Sequence, residues 1–310
     1  MSVIDRSKPV LVFLAAGTQG EAVVHAALAR GLSVRALVRS RTRASALMAP
    51  NVELAEGDLD DPVSLRAACA GIHHAVLQVP LGSAERMQAQ AENALLACKA
   101  AGVRSVILRL ASASRHAPCD EPSFVANQRV QDVAQACGLP FAIVRPTMYL
   151  ENLLKPSARA EILTEGVFAP PIPSSQRIAW TSVDDCVEAS LMLLERDAMG
   201  GDHRIAGPES LTGDELVARV GAGLGRIVRY RGQSLDAFER DVDAAMGEGV
   251  GRRVASKFRY FAAHPEDADA ILAQPYAGES GLEGFQPTDV ETWTRAAVAS
   301  GWFLHGHRVA

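Results

Sequence analysis

The stretch Pro9-Val-Leu-Val-Phe-Leu14-Ala-Ala-Gly17-Thr-Gln-Gly20 decides the fold. Its first half is a continuous apolar run, the pattern of a parallel strand buried on both faces. Its second half is a turn of small residues, and a helical pattern follows at once. Ala22, Val23, Ala26, Ala27 and Leu28 recur at spacings of three and four, and Gly31 stands where a helix C-cap is expected. Backbone N–H groups at such a helix start, aided by the helix dipole, are able to hold a pyrophosphate. Tight helix–strand packing without a ligand would use the same glycines.

Downstream, strand and helix patterns keep alternating. Strands are expected at 33–38, 52–55, 75–79, 105–110 and 141–144, and helices at 84–101 and 128–137. Alternation of this kind predicts βαβ units, hence an α/β fold with a doubly wound parallel sheet. Prolines 156, 170, 171 and 173 then punctuate an irregular stretch. A helix is expected over 183–195, a late strand at 203–206, and a capping box at Thr212 and Glu215 opens another helix. Residues 232–310 carry amphipathic helical patterns and no clear strand run. The predicted division is a sheet domain of 1–155 plus about 175–210. A smaller, mostly helical substrate lobe takes about 156–174 plus 211–310.

Composition agrees with a soluble globular chain of this size. Of 310 residues, 48% are hydrophobic and 22% charged, and 31 basic against 36 acidic side chains give a net charge of −5. This excludes disordered, collagen-like and disulfide-stapled classes, and no basic surface for direct nucleic-acid binding stands out. No apolar run approaches the ~18 residues of a membrane span, and the polar start does not read as a secretory signal, so a cytoplasmic protein is expected. The five cysteines, 69, 98, 119, 137 and 186, lack metal-site spacing and read as buried small hydrophobes. No metal site is expected.

Ala15-Ala-Gly-Thr-Gln-Gly20, Gly57-Asp58, Gly138-Leu-Pro140, Arg145-Pro146 and Glu151-Asn-Leu153 occur in this order. Asp184-Asp185 and Gly207-Pro-Glu-Ser-Leu-Thr212 continue the pattern to about residue 225. Together they resemble the NmrA-like group of atypical short-chain dehydrogenases/reductases. The resemblance implies a Rossmann domain that binds a nicotinamide dinucleotide, and a C-terminal lobe that takes a small-molecule substrate. It places Gly17, Thr18, Gln19 and Gly20 at the pyrophosphate, Asp58 near the adenine, and Gln78 and Pro80 beside the middle of the cofactor. Asp58 would serve equally as the cap of a helix beginning near Pro62.

Two departures from that family stand out. Leu14 occupies the first glycine position of the loop, and its bulk there is expected to weaken cofactor binding. The positions of the superfamily's usual Tyr and Lys, counted back from Gly138, fall on Ser123 and Asn127. Neither residue can replace an activated tyrosine or a lysine charge.

After the second strand stands Arg39-Ser-Arg41-Thr-Arg43, with no acid to bind a ribose hydroxyl. Arg39 and Arg43 suit a 2′-phosphate, so NADP(H) is favoured over NAD; a solvated basic loop would read the same way. Candidates near the chemistry are Ser112, Tyr149 and His116, with Asn127 at the lysine position. The leading expectation is an NADP(H)-dependent reductase of a small aromatic, quinone-like or conjugated substrate. A non-catalytic redox sensor acting on a protein partner, a scaffold repurposed for non-redox chemistry, and a homodimer all stay open.

Overall fold

The computed structural model describes residues 4–110, 113 and 120–305. Its first half alternates as expected: β1 (Val10–Val12), α1 (Thr18–Ala29), β2 (Val34–Val38), β3 (Val52–Glu56), α2 (Pro62–Cys69), β4 (His74–Leu77), α3 (Ala84–Ala100), β5 (Ser105–Arg109), α4 (Pro122–Cys137) and β6 (Phe141–Pro146). After β6 come α5 (Pro156–Thr164), β7 (Val167–Phe168), α6 (Val183–Glu195) and β8 (Asp202–Ile205). The rest is α7 (Gly213–Leu224), β9 (Arg229–Tyr230), α8 (Leu235–Met246), α9 (Val250–Ala263), α10 (Pro265–Ala268), α11 (Val290–Ala299) and α12 (Trp302–His305).

Seven strands form one parallel sheet in the order β3-β2-β1-β4-β5-β6-β8. It is the doubly wound α/β sheet that the sequence predicts. Strand alternation explains the apolar run of β1. Val10 and Val12 pack with Val23, Val24 and Ala27 of α1 and with Cys186 and Val187 of α6 on one face. Leu11 and Phe13 pack with Leu65, Leu95 and Val130 of α2, α3 and α4 on the other. A strand covered on both sides has no polar face to show. A third cluster, with Leu150, Phe168, Trp180, Leu216, Phe261 and Trp293 among its members, gathers the later helices.

Several local expectations need correction. Helix α4 begins at Pro122, six residues before the expected start, because Glu121 caps it through Phe124 N–H (3.0 Å) and proline suits the first turn. Pro156 likewise opens a helix instead of an irregular stretch. Asp61, not Asp58, caps α2, accepting from Val63 N–H at 3.0 Å. The region around the late helices contains a short parallel pair, β7 with β9. The capping box at Thr212 and Glu215 forms as expected, and a second one, Ser182 with Asp185, opens α6. Cysteines 69, 98, 137 and 186 are buried and free, while Cys119 lies outside the described residues.

Candidate functional site

Strand order reverses between β1 and β4, so a crevice is expected beyond their carboxyl ends. The glycine loop sits there. Phe13 N–H bonds to Val76 O of β4 (3.0 Å), and Ala15 N–H to Leu37 O of β2 (3.1 Å), pinning the loop to both neighbours. Leu14 takes the left-handed conformation (φ 51°) that glycine adopts most readily, a strain of about 1–2 kcal/mol. Its half-buried side chain packs against the core cluster to which α2 and α3 contribute. Gly17 then turns back with its N–H on Leu14 O (2.9 Å) and serves as N-cap of α1 without any side-chain cap. A helix start leaves its first N–H groups without intrahelical acceptors, and here the turn presents them uncapped toward the crevice. That geometry fits a dinucleotide's diphosphate.

Gln19 is held from two sides. The Tyr149 hydroxyl donates to its Oε1 (3.1 Å), and Arg109 Nη1 donates to its main-chain oxygen (3.2 Å). Tyr149 is buried, and loss of hydration pushes its hydroxyl well above the ordinary tyrosine range. The phenol therefore keeps its proton and commits it to the loop. Arg109 is buried at the end of β5, and its Nε and Nη2 have no hydrogen-bond partner among the described residues. It brings positive charge beneath the loop, a feature no sequence motif announced.

At the end of β2, Arg39, Arg41 and Arg43 are all exposed, and none of their side chains makes an ion pair among the described residues. Asp58 lies just beyond β3, with its Oδ1 accepting from Asp60 N–H (2.9 Å). Half-buried Gln78 and exposed Pro80 follow β4. The structure thus gathers the loop, the arginines, Asp58, Gln78 and Pro80 at the carboxyl ends of β1 to β4. Ser112 and His116 lie outside the described residues.

Where the superfamily's tyrosine would stand, Ser123 donates its hydroxyl to Glu121. Asn127 is buried one turn further along α4. Glu121 accepts also from Ser256 of α9 and from Phe124 N–H, so helix start and later helices meet on one carboxylate. Glu151, quoted only as part of a motif, proves to be a distinctive acid. One oxygen accepts from Val183 N–H (3.0 Å), the other is buried without a hydrogen-bond partner among the described residues, and burial raises the carboxyl to about 8.

The sign of the resulting pH effect is fixed. An unfolded Glu titrates near ~4.3, so the folded chain holds a proton there that the unfolded chain releases. Stability from this group is full below ~4.3 and is lost as pH rises through about 8. Glu151→Gln mimics the protonated form. Its unfolding free energy should exceed that of the wild type increasingly from pH 5.5 to pH 8.5, by on the order of a few kcal/mol at the upper end, read as a growing gap between their thermal melting curves. Parallel melting curves at both pH values would contradict the assignment.

Among the described residues, no helix is long and apolar enough to cross a membrane, and no group of side chains could hold a metal ion. An NAD(P)H azoreductase from Xenophilus azovorans is 29% identical over 268 residues, 85% of this chain and 90% of that protein. Quinone oxidoreductase 2 of Escherichia coli K12 is 25% identical over 213 residues, 68% of this chain and 71% of that one. The solved complex of NmrA, a negative transcriptional regulator, with NADP shares the fold. Its TM-score is 0.72 at 21% identity, over 97% of this chain and 99% of that one. A glycine turn at the sheet's switch point, a doubly wound sheet and these likenesses agree with one family model, which matches residues 6–293: the chain belongs to the NmrA-like family.

Proposed function

We propose that the protein is a cytoplasmic NADP(H)-dependent reductase of small aromatic, quinone-like or conjugated acceptors. The observation that carries the cofactor half is the run Arg39, Arg41, Arg43, exposed and without ion pairs among the described residues at the end of β2, beside a helix start with no side-chain cap. The relatives named as an azoreductase and a quinone oxidoreductase support the acceptor half. Residues 1–155 plus 175–210 act as the cofactor domain, and 156–174 plus 211–310 as the substrate lobe.

NADP(H), when bound, supplies the hydride. The chain's part is positioning. The first N–H groups of α1 hold the diphosphate, with Arg109 adding charge from below. Arg39 and Arg43 grip the 2′-phosphate, Asp58 lies by the adenine, and Gln78 and Pro80 shape the middle. Ser112 and His116 are kept as candidates at the acceptor. Tyr149 holds the loop instead of donating a proton, and Asn127 gives no charge. An azo or quinone acceptor takes its remaining proton from water, so the missing Tyr–Lys pair is tolerated there, unlike at a simple ketone.

Calorimetric titration with NADPH and NADH, followed by NADPH oxidation with a quinone panel, tests this. Saturable binding favouring NADPH, with quinone-dependent oxidation, is the expected result. Binding without any oxidation would favour the sensor reading, which the hydrogen-bonded Ser123 and buried Asn127 support. No binding of either nucleotide would remove both.

A further inference from the structure

Two lysines near the crevice play no part so far. Lys155 follows the turn Leu150–Leu154, which leaves the sheet beyond β6 and Tyr149. Lys257 lies on α9 beside Ser256, which bonds to Glu121 at the start of α4. One turn further, Phe261 stacks at 5.7 Å on Phe124, so this face of α9 covers the helix start where the usual tyrosine is missing. The Lys257 ammonium lies 5.3 Å from the Phe258 ring centroid.

Neither side-chain ammonium has an ion pair or hydrogen bond among the described residues. The acid that could neutralise Lys257 is Glu121, and its oxygens already serve Ser123, Ser256 and Phe124 N–H. Loss of hydration, then the charge of Lys155, lowers Lys257 to about 8, against the pull of Glu121. Lys155 is exposed, and it too is lowered by lost hydration. Two under-neutralised cations within electrostatic reach of each other are costly unless an anion joins them. The Phe258 ring under the Lys257 ammonium also lines, with Met148, Ile172, Phe261 and Leu272, a largely apolar cavity of about 130 Å³ whose polar lining is Ser175 and Gln176.

We propose that Lys155 and Lys257 bind an anionic substituent of the acceptor, a carboxylate, sulfonate or phosphate, while Phe258 and Phe261 face its apolar body. The acceptor class is thus narrowed to aromatic or conjugated molecules that carry a negative group. This rests on the reductase reading for turnover but not for binding. Lysine is suited to the task because its ammonium meets an anion as a point charge from any direction.

The test compares 1,4-naphthoquinone with 1,4-naphthoquinone-2-sulfonate in the wild type, K155M, K257M, the double variant and K257R. Each lost charged hydrogen bond should cost roughly 10-fold or more in kcat/KM for the sulfonate, chiefly through KM. The neutral quinone should change by less than about threefold, and K257R should restore most of the sulfonate rate. Equal losses on both quinones, or none on the sulfonate, would overturn the proposal. A parallel arm measures equilibrium binding of anthraquinone-2-sulfonate by calorimetry. If NADPH reduces neither quinone, the reductase reading fails, and this arm alone decides the lysines. Wild-type binding lost in the folded double variant, as checked by circular dichroism, supports the clamp. Absence of wild-type binding, or binding unchanged in the double variant, refutes it.

Discussion

Gly20→Ala is expected to cost about 3 kcal/mol or more of stability and to weaken NADPH binding by more than about 100-fold. A Cβ at this position would overlap the Leu14 carbonyl oxygen and stand 2.8 Å from the Ala15 Cα. Both obstacles are backbone, and both are pinned, since Phe13 and Ala15 are hydrogen-bonded to the strands on either side. No side chain can swing away to make room. The loop must move or α1 must lift, and either change shifts the helix start that we propose meets the diphosphate. Leu14→Gly provides the contrast. It relieves the left-handed strain but loses packing and adds chain entropy, so stability should stay within about 1 kcal/mol. Because the Leu14 side chain faces the core, NADPH affinity should stay within about threefold. Thermal unfolding and calorimetry on both variants check the pair. A well-folded, NADPH-binding Gly20→Ala protein would refute the close-approach account, and a strongly tightened Leu14→Gly protein would show that the leucine does obstruct the cofactor.

The second large effect is on cofactor choice. Arg39→Ala combined with Arg43→Ala should weaken NADPH by roughly 100-fold and leave NADH nearly unchanged. Each arginine lost removes a charge-assisted hydrogen bond of about 1.5–3 kcal/mol to a group that NADH lacks. Arg39→Asp should go further, since a carboxylate repels the 2′-phosphate and accepts from a free ribose hydroxyl. Both arginines are exposed, so salt screens them. The wild-type preference should therefore shrink as ionic strength rises, while that of Arg39→Asp moves the other way. Equal losses for the two nucleotides would assign the arginines to the surface alone.

The parallel sheet was legible because both-face burial writes itself as apolar runs, and the glycine turn because close backbone approach demands a particular residue. Strand starts and ends agreed to within a few residues. The start of α4 was hidden because Glu121 and Pro122 are local signals that an apolar pattern does not show. At the site, the loop and the arginines were visible as motifs. Arg109, Glu151 and Lys257 were not, since their character comes from what surrounds them. Arg109 looks like any strand residue until its Nε and Nη2 prove buried without a hydrogen-bond partner among the described residues. Glu151 is an ordinary acid until burial raises it. Tyr149 is a candidate near the chemistry from its place after β6, and only the contact with Gln19 shows the partner of its hydroxyl.

The last strand of the sheet has a consequence for how the chain is made. β8 pairs with β6 after an excursion of more than fifty residues, and Asp202 supplies the carboxylate for buried Arg145. As the polypeptide leaves the ribosome, β6 emerges with one edge bare and its arginine unmatched until residue 205 has followed. During that interval the nascent sheet offers an open hydrogen-bonding edge to any neighbouring strand. Completion of the parallel sheet thus waits on much of the chain that follows β6, and a fragment ended near residue 155 should be insoluble on its own.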